Sequence, residues 1–314
     1  MNLADLAGVA AVLVPIVVLL SFAGCGFDGV AAGEPDAPPK PPDLPTPPPT
    51  GPPVGPPVTT PVNYHDLVLK GPTEVIAYWK LGDTVVGGAA ADSGPDPKNP
   101  GIYRAGVALA NGVLRLGPDA TDQATAFDGT TGFVNVPYDT VMNPVSNTNF
   151  SVEAWIKPET LAPARSVVVG SYRVSAAGTI DRGFVVEYLG GPTPTVRART
   201  APDGLAEITL PFGGSGWNHV VLTYDGAAKR LQLYADGLSP ATAVDTAASY
   251  TANRQTSPTE IATPLRIGAG HKEPFEPATP AALFFLGAID QVALYRGILT
   301  QAIVQQHFTA ATTP

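Results

Sequence analysis

The sequence predicts an all-β domain: a sandwich of two antiparallel sheets with one short C-terminal helix. Three observations carry this. Residues 217–237, WNHVVLTYDGAAKRLQLYADG, hold two alternating runs, each ended by Asp-Gly, and Asp-Gly after an alternating run is a strong hairpin signal. From about Pro72 onward, short alternating runs recur roughly every 10–15 residues, separated by Gly, Pro, Asp and Asn; that spacing suits a sandwich and not βαβ units. The 35 prolines and 33 glycines among 314 residues exclude long helices from most of the chain.

Taken from the N-terminus, residues 1–25 read as an anchor or signal segment. Leu6 to Gly24 carry no charged residue, a length that spans a bilayer or forms the apolar core of a secretory signal. Residues 26–71 read as a linker. Gly33 to Val62, GEPDAPPKPPDLPTPPPTGPPVGPPVTTPV, has almost nothing to build a core from; proline fixes φ and removes donors, so this is an extended, stiff tether. Residues 72–314 read as the folded domain. Its predicted strands are Val75–Leu81, Ala124–Phe127, Phe133–Val136, Phe150–Lys157, Ser166–Tyr172, Phe184–Tyr188, Thr195–Thr200, Ala206–Leu210, Trp217–Tyr224, Leu231–Ala235, Leu265–Gly268 and Phe284–Tyr295. The last reads as two strands or one bent long one. Thr300–Ala310 reads as the helix, with Thr300 as its cap and Ile303, Val304 and Phe308 as its apolar stripe.

Period-2 alternation assigns the faces. Phe150, Val152, Ala154 and Ile156 share one face, with Ser151, Glu153, Trp155 and Lys157 opposite. Val220, Leu222 and Tyr224 face away from Trp217, His219, Val221 and Thr223; Leu231, Leu233 and Ala235 face away from Arg230, Gln232 and Tyr234. A terminal strand must return beside the first one to close the sheets and hide their edges.

Several strings, in order, resemble laminin-G-like members of the concanavalin A-like lectin/glucanase jelly rolls. They are AYWKLGD from Ala77, Asp92-Ser93-Gly94 with Asn99, Gly101 and Tyr103, AFDG from Ala126 with FVNVP from Phe133, FSVEAWIKP from Phe150, WNHVVLTYDG from Trp217, and FLGAIDQVALY from Phe285. The resemblance implies a jelly-roll sandwich. Separately, Phe22-Ala23-Gly24-Cys25 resembles a bacterial lipobox, which implies lipidation of Cys25. Gly26 stands where an aspartate would signal inner-membrane retention, so outer-membrane or surface placement is implied. Phe22 stands where Leu is usual and no Lys or Arg precedes the apolar run, which keeps a single-pass anchor open as the alternative.

The chemistry is bounded more by exclusion than by motif. Net charge is −9 with 18 basic residues, a poor match to nucleic acid, which needs clustered Lys and Arg. Cys25 is the one cysteine and stands ahead of the proline tract, so neither a disulfide nor a thiol nucleophile is expected in the domain. Glycoside hydrolases of this fold carry paired strand carboxylates; no Glu-x-Asp-x-x-Glu occurs, and Glu273 and Glu276 stand in a Pro-rich loop. Glu153 and Glu187 are carboxylates on predicted strands. His65, His219, His271 and His307 are dispersed, without zinc spacing. Calcium, which takes hard oxygen ligands, is the one metal the resemblance implies, with Asp290, Asp83, Asp92 and Asp128 as ligands. Asp290 interrupts an apolar strand and needs a partner if buried. For sugar stacking, Tyr138, Tyr172, Tyr188 and Tyr250 stand near loops or strand ends. Asn149-Phe150-Ser151 fits a glycosylation sequon, but its place at a strand start suggests a structural role.

The expectation is a non-catalytic recognition module tethered at the cell envelope and facing outward, binding glycan or an extracellular protein. The alternatives are a structural or adhesive envelope protein, and a glycoside hydrolase of the same fold.

Overall fold

A computed structural model describes residues 63–83, 86–116, 119–159, 163–175, 177–202, 206–211, 213–214, 216–238, 240–244, 250–256, 263–272 and 281–313. Cys25, the segments read as anchor and tether as far as residue 62, and Glu273 and Glu276 lie outside these residues.

The strands run β1 (Glu74–Trp79), β2 (Ala89–Ala90), β3 (Gly101–Tyr103), β4 (Val107–Asn111), β5 (Gln123–Asp128), β6 (Val134–Val136), β7 (Phe150–Pro158), β8 (Ser166–Val174) and β9 (Ile180–Leu189). They continue as β10 (Thr195–Thr200), β11 (Ala206–Pro211), β12 (Asn218–Asp225), β13 (Arg230–Ala235), β14 (Ala241–Val244), β15 (Leu265–Ile267), β16 (Gly270–His271), β17 (Ala281–Ala282) and β18 (Leu286–Arg296). Helix α1 (Tyr64–Lys70) precedes them and α2 (Gln301–Thr312) follows.

The first sheet has the order β14-β13-β12-β7-β18-β5-β4, with β1 also on β18; the second has the order β11-β10-β9-β8-β15-β6-β3-β2. Every pairing is antiparallel, and β16 and β17 form a separate small ribbon. The return of β18 beside β1, Glu74↔Arg296 to Trp79↔Val292, is the closure the sequence predicts. β18 is one long strand with an irregularity between Asp290 and Ala293, where Gln291 takes a φ of 50°. The extra twist of a bulge lets one strand pair with β5 through its first half and β1 through its second.

The core lies between the sheets. Phe150, Val152, Ala154 and Ile156 of β7, Val220, Leu222 and Tyr224 of β12, and Leu231 and Leu233 of β13 enter it as the alternation predicts. From the second sheet come Phe184, Val186 and Tyr188 of β9 and Val196 and Ala198 of β10. The rings of Phe150, Phe184, Tyr224 and Tyr250 meet at centroid distances of 5.3–5.6 Å, and such pairs add about 0.5–1.5 kcal/mol each beyond the area they bury.

Turn chemistry fixes the hairpins. Asp225 accepts from Ala227 N and Ala228 N at 3.0 and 2.9 Å. Gly226 packs so closely that a Cβ there would lie 2.2 Å from the Asn147 carbonyl carbon. Asp236 and Gly237 take φ of 52° and 69°, the consecutive positive values that an Asp-Gly turn supplies. Asn149 of the sequon accepts from Gly226 N at 2.9 Å.

The outer face of the first sheet is covered. Trp155, Val221, Tyr234 and Tyr295 on the strands pack against Tyr64 and Val68 of α1 and Val304 and Ala311 of α2. Helix α1 falls in the segment the sequence assigns to the linker, and it packs on the sandwich instead. Its seven residues are capped by the Asn63 side chain, which accepts from His65 N. Thr300 stands at the N-cap of α2, as read from the sequence, but makes no side-chain capping bond. Among the described residues no helix is long and apolar enough to cross a membrane.

Candidate functional site

Each sheet carries one fully buried glutamate on its outer face, and the two are built differently. On the first sheet, Glu153 of β7 is sealed under the helices. Its Oε1 accepts from Tyr64 Oη at 3.0 Å and lies 2.7 Å from His219 Nε2; both carboxylate oxygens lie 3.0 Å from His307 Nδ1. Tyr295 Oη donates to Oε2. Trp155 Nε1 donates to Tyr64 Oη at 3.2 Å, and the Trp155 ring stacks with His219 and with Phe308 at 4.6 and 5.8 Å, the latter two also meeting at 6.3 Å. Burial opposes the charge of Glu153, but His307 and His219 hold its carboxyl well below the usual range. Burial, then Glu153, raises the phenols of Tyr64 and Tyr295. The arrangement ties α1 and α2 to the sheet and buries the carboxylate completely.

On the second sheet, Glu187 of β9 is also 0% exposed, but its partners are arginines that reach the surface. Arg165, just before β8, donates from Nε to Oε1 at 2.8 Å. Arg197 and Arg199 of β10 donate from Nε to Oε2 at 2.8 and 3.0 Å, and Arg199 Nη2 reaches Oε1 at 3.1 Å. The side chains of Arg165, Arg197 and Arg199 are 33, 19 and 11% exposed. Strand pairing sets this geometry. Arg197 stands directly opposite Glu187, and Val196 and Ala198 turn inward, which sends Thr195, Arg197 and Arg199 outward together. Next along, Thr209 of β11 stands opposite Arg197, and Glu207 Oε1 lies 3.7 Å from Arg197 Nη1. Burial opposes the charge of Glu187, and Arg199, Arg165 and Arg197 hold it below the usual range. Glu153 and Glu187 lie on outer faces of different sheets, so they do not form the carboxylate pair of a glycosidase.

The aspartates predicted to share a metal are not brought together. Asp83 accepts from Tyr103 Oη at 2.6 Å and Ala91 N at 2.9 Å. Asp92 accepts from Tyr78 N, Gly94 N and Asn99 N at 3.0, 2.9 and 3.2 Å. Asp128 caps its own turn, taking Thr130 N, Thr131 N and Gly132 N at 2.8–2.9 Å. Burial opposes its charge, but the hydrogen bonds from Thr131, Thr130 and Gly132 together outweigh it and hold the carboxyl far below the usual range. These three act as loop organisers, as short Asx turns do.

Asp290 differs. Its Oδ2 accepts from Val113 N at 2.7 Å, and its buried Oδ1 has no partner. Beside it stands Asp122, which accepts from Leu114 N at 2.8 Å. A Cβ on Gly112 would lie 2.1 Å from an Asp122 oxygen and 2.9 Å from an Asp290 oxygen, so the residue there must be glycine. Burial, then the neighbouring Asp122, pushes the Asp290 carboxyl well above its ordinary range. A buried carboxyl group with an orphan oxygen beside a half-buried one suits either a shared proton or a hard cation. Among the described residues, no three or more of His, Cys, Asp and Glu converge as a metal set.

The tyrosines predicted to stack on sugar are mostly elsewhere. Tyr188 and Tyr250 lie in the core. Tyr172 is buried on the outer side of β8, accepting from His271 N at 3.1 Å. Buried rings have no face to offer a pyranose. Tyr138 is half-buried, and its hydroxyl accepts from Gln255 N at 3.3 Å. The arginine array was missed at the sequence level, though the alternation of TVRART in β10 carries its signal.

No curated protein sequence matches the chain. Among solved structures, similarity extends to domain 4 of AbnA, an extracellular arabinanase from Geobacillus stearothermophilus in complex with arabinotriose. It shares 16% identity at a TM-score of 0.48, over 75% of this chain and 98% of that one. It extends to the binding domain of botulinum neurotoxin serotype G, at 11% identity and a TM-score of 0.49, over 75% of this chain and 50% of that one. A carbohydrate-binding module of the Ruminococcus gnavus sialidase, bound to sialyllactose, shares 20% identity at a TM-score of 0.39, over 53% and 84%. A family model matches residues 127–305. With that match and the closed two-sheet sandwich, the chain belongs to the concanavalin A-like lectin/glucanases superfamily.

Proposed function

We propose that this protein is a recognition module that binds carbohydrate outside the cell and does not cleave it, held at the envelope by its N-terminal segment. One observation carries the reading. The outer face of the second sheet presents a fixed polar array at the surface, Arg165, Arg197 and Arg199 locked onto Glu187, with Thr195 and Thr209 beside them. The opposite outer face is closed by helices. Superfamily membership and the lipobox-like Phe22–Cys25 support the same reading. Glu153 has no access to substrate, and Glu187 is bound in an ion network, so neither is placed as a general acid.

Retention of the full-length protein on immobilised glycans without release of reducing sugar is the expected result; steady release of sugar would end the non-catalytic reading. Asp290 and Asp122 are the residues that would hold a structural calcium ion, replacing the set Asp83, Asp92 and Asp128 expected with Asp290. The ion would supply positive charge beside the buried carboxylate of Asp290 and the half-buried one of Asp122. Calcium should then raise the melting temperature of the full-length protein, and Asp290→Asn should abolish the response; an identical melt in calcium and in chelator removes the ion from the account.

A further inference from the structure

Resting on that reading, we infer that the face carrying Arg165, Arg197 and Arg199 binds an acidic sugar, one bearing a carboxylate or a sulfate. A buried carboxylate is neutralised by one guanidinium; here three converge on Glu187. Arg197 and Arg199 place their Nε atoms 2.8 and 3.0 Å from the same oxygen, so two like charges are held side by side. Glu207 also joins the network, 3.7 Å from Arg197 and 47% exposed. Among the described residues this network holds three positive and two negative side chains, net positive on a chain of net charge −9.

Such crowding suits a site in which an anion completes the charge balance. Arginine is suited to the task because its planar fork matches two oxygens of a carboxylate or sulfate at once. Glu187 beneath the three side chains fixes them before any ligand arrives, which lowers the ordering cost of binding. The strands β9 and β10 supply a rigid base, and Thr195 and Thr209 supply hydroxyls on the same face for the sugar ring. Because the chain as a whole is acidic, attraction acts only at contact range, and added salt weakens it.

The test measures binding of full-length protein to polygalacturonate and to its fully methyl-esterified form, and to dextran sulfate and to dextran, at two salt concentrations. Preference for an acidic polymer over its neutral counterpart, lost at high salt, is expected; the better-bound acid identifies the charged group. Arg197→Gln should weaken that binding about tenfold, the loss of one charge-assisted contact. Lys98→Gln, remote from this face, should leave it unchanged. If Arg197→Gln does not fold, Arg197→Lys, which keeps charge but loses the fork, decides: a several-fold loss with a native melt supports the site, and unchanged affinity overturns it. Equal binding of acidic and neutral polymers overturns the acidic-sugar assignment and leaves the glycan reading standing. Binding to none of the four removes both.

Discussion

The two outer faces of this sandwich solve the same problem, a glutamate at the centre of a sheet, in opposite ways. Glu153 is satisfied by residues that can themselves be neutral, two histidines and two tyrosines, and is then roofed by α1 and α2. Glu187 is satisfied by three permanently charged arginines, and among the described residues no helix covers it. A set of neutral donors can be buried entirely, because its desolvation cost is moderate. A set of guanidinium groups cannot, because the surplus charge must keep contact with water or an anion. Partner chemistry thus decides which face is closed and which keeps contact with solvent.

The largest effect should come from the closed face. Glu153→Ala leaves the hydroxyls of Tyr64 and Tyr295 and the rings of His219 and His307 without their common acceptor. Loss of one partner from a buried network costs about 3–5 kcal/mol, to be read from denaturant unfolding. A loss below about 1 kcal/mol would show that the helices are held by apolar contact alone.

Glu187→Gln should cost less, about 1–3 kcal/mol, because its arginines are partly solvated and their charges can be screened. If the two substitutions cost the same, the distinction between the faces fails.

The histidines sharpen the contrast further, with opposite signs. On the closed face, burial lowers His307, but Glu153 outweighs it and the net shift is upward from 6.5. Its stabilisation is present below about pH 6.5 and is lost as pH rises through the raised value. His307→Gln should therefore cost more at pH 5.5 than at pH 9. On the second sheet's side, burial and then Arg266 push His271 down to about 3. The unfolded chain takes up that proton near pH 6.5 and the folded chain does not, so stability falls as pH drops from 6.5 toward 3. The slope is about 1 kcal/mol per pH unit, and His271→Gln should flatten it. Unfolding free energies at several pH values would check both.

Much of this was legible in the chain. Alternation in β7, β12 and β13 assigned every core residue to its face, because a period of two leaves only two choices. The same reading placed Glu153 and Tyr234 outward, correctly, but could not show that outward meant buried. That depends on α1, whose seven residues are too short for a helical period and stand directly after a proline tract. β2, β16 and β17, at two residues each, are below any period. The aspartates were read as a group because each sits in a motif; for three of them the partners turned out to be backbone N–H groups and the hydroxyls of Tyr103, Thr130 and Thr131, while Asp290 met another acid, Asp122, from a distant loop. The tyrosines failed for a related reason. Nearness to a loop in sequence does not give exposure, and Tyr250 enters the core from a segment with no strand signal of its own.

Hydrogen exchange on the full-length protein, with and without a saturating acidic polysaccharide, tests the division of the two faces most directly. The account predicts new protection across residues 180–189 and 195–211, and none in α1 or α2, which are already closed. Protection appearing at α1 and α2 while 195–211 stays unchanged would contradict it.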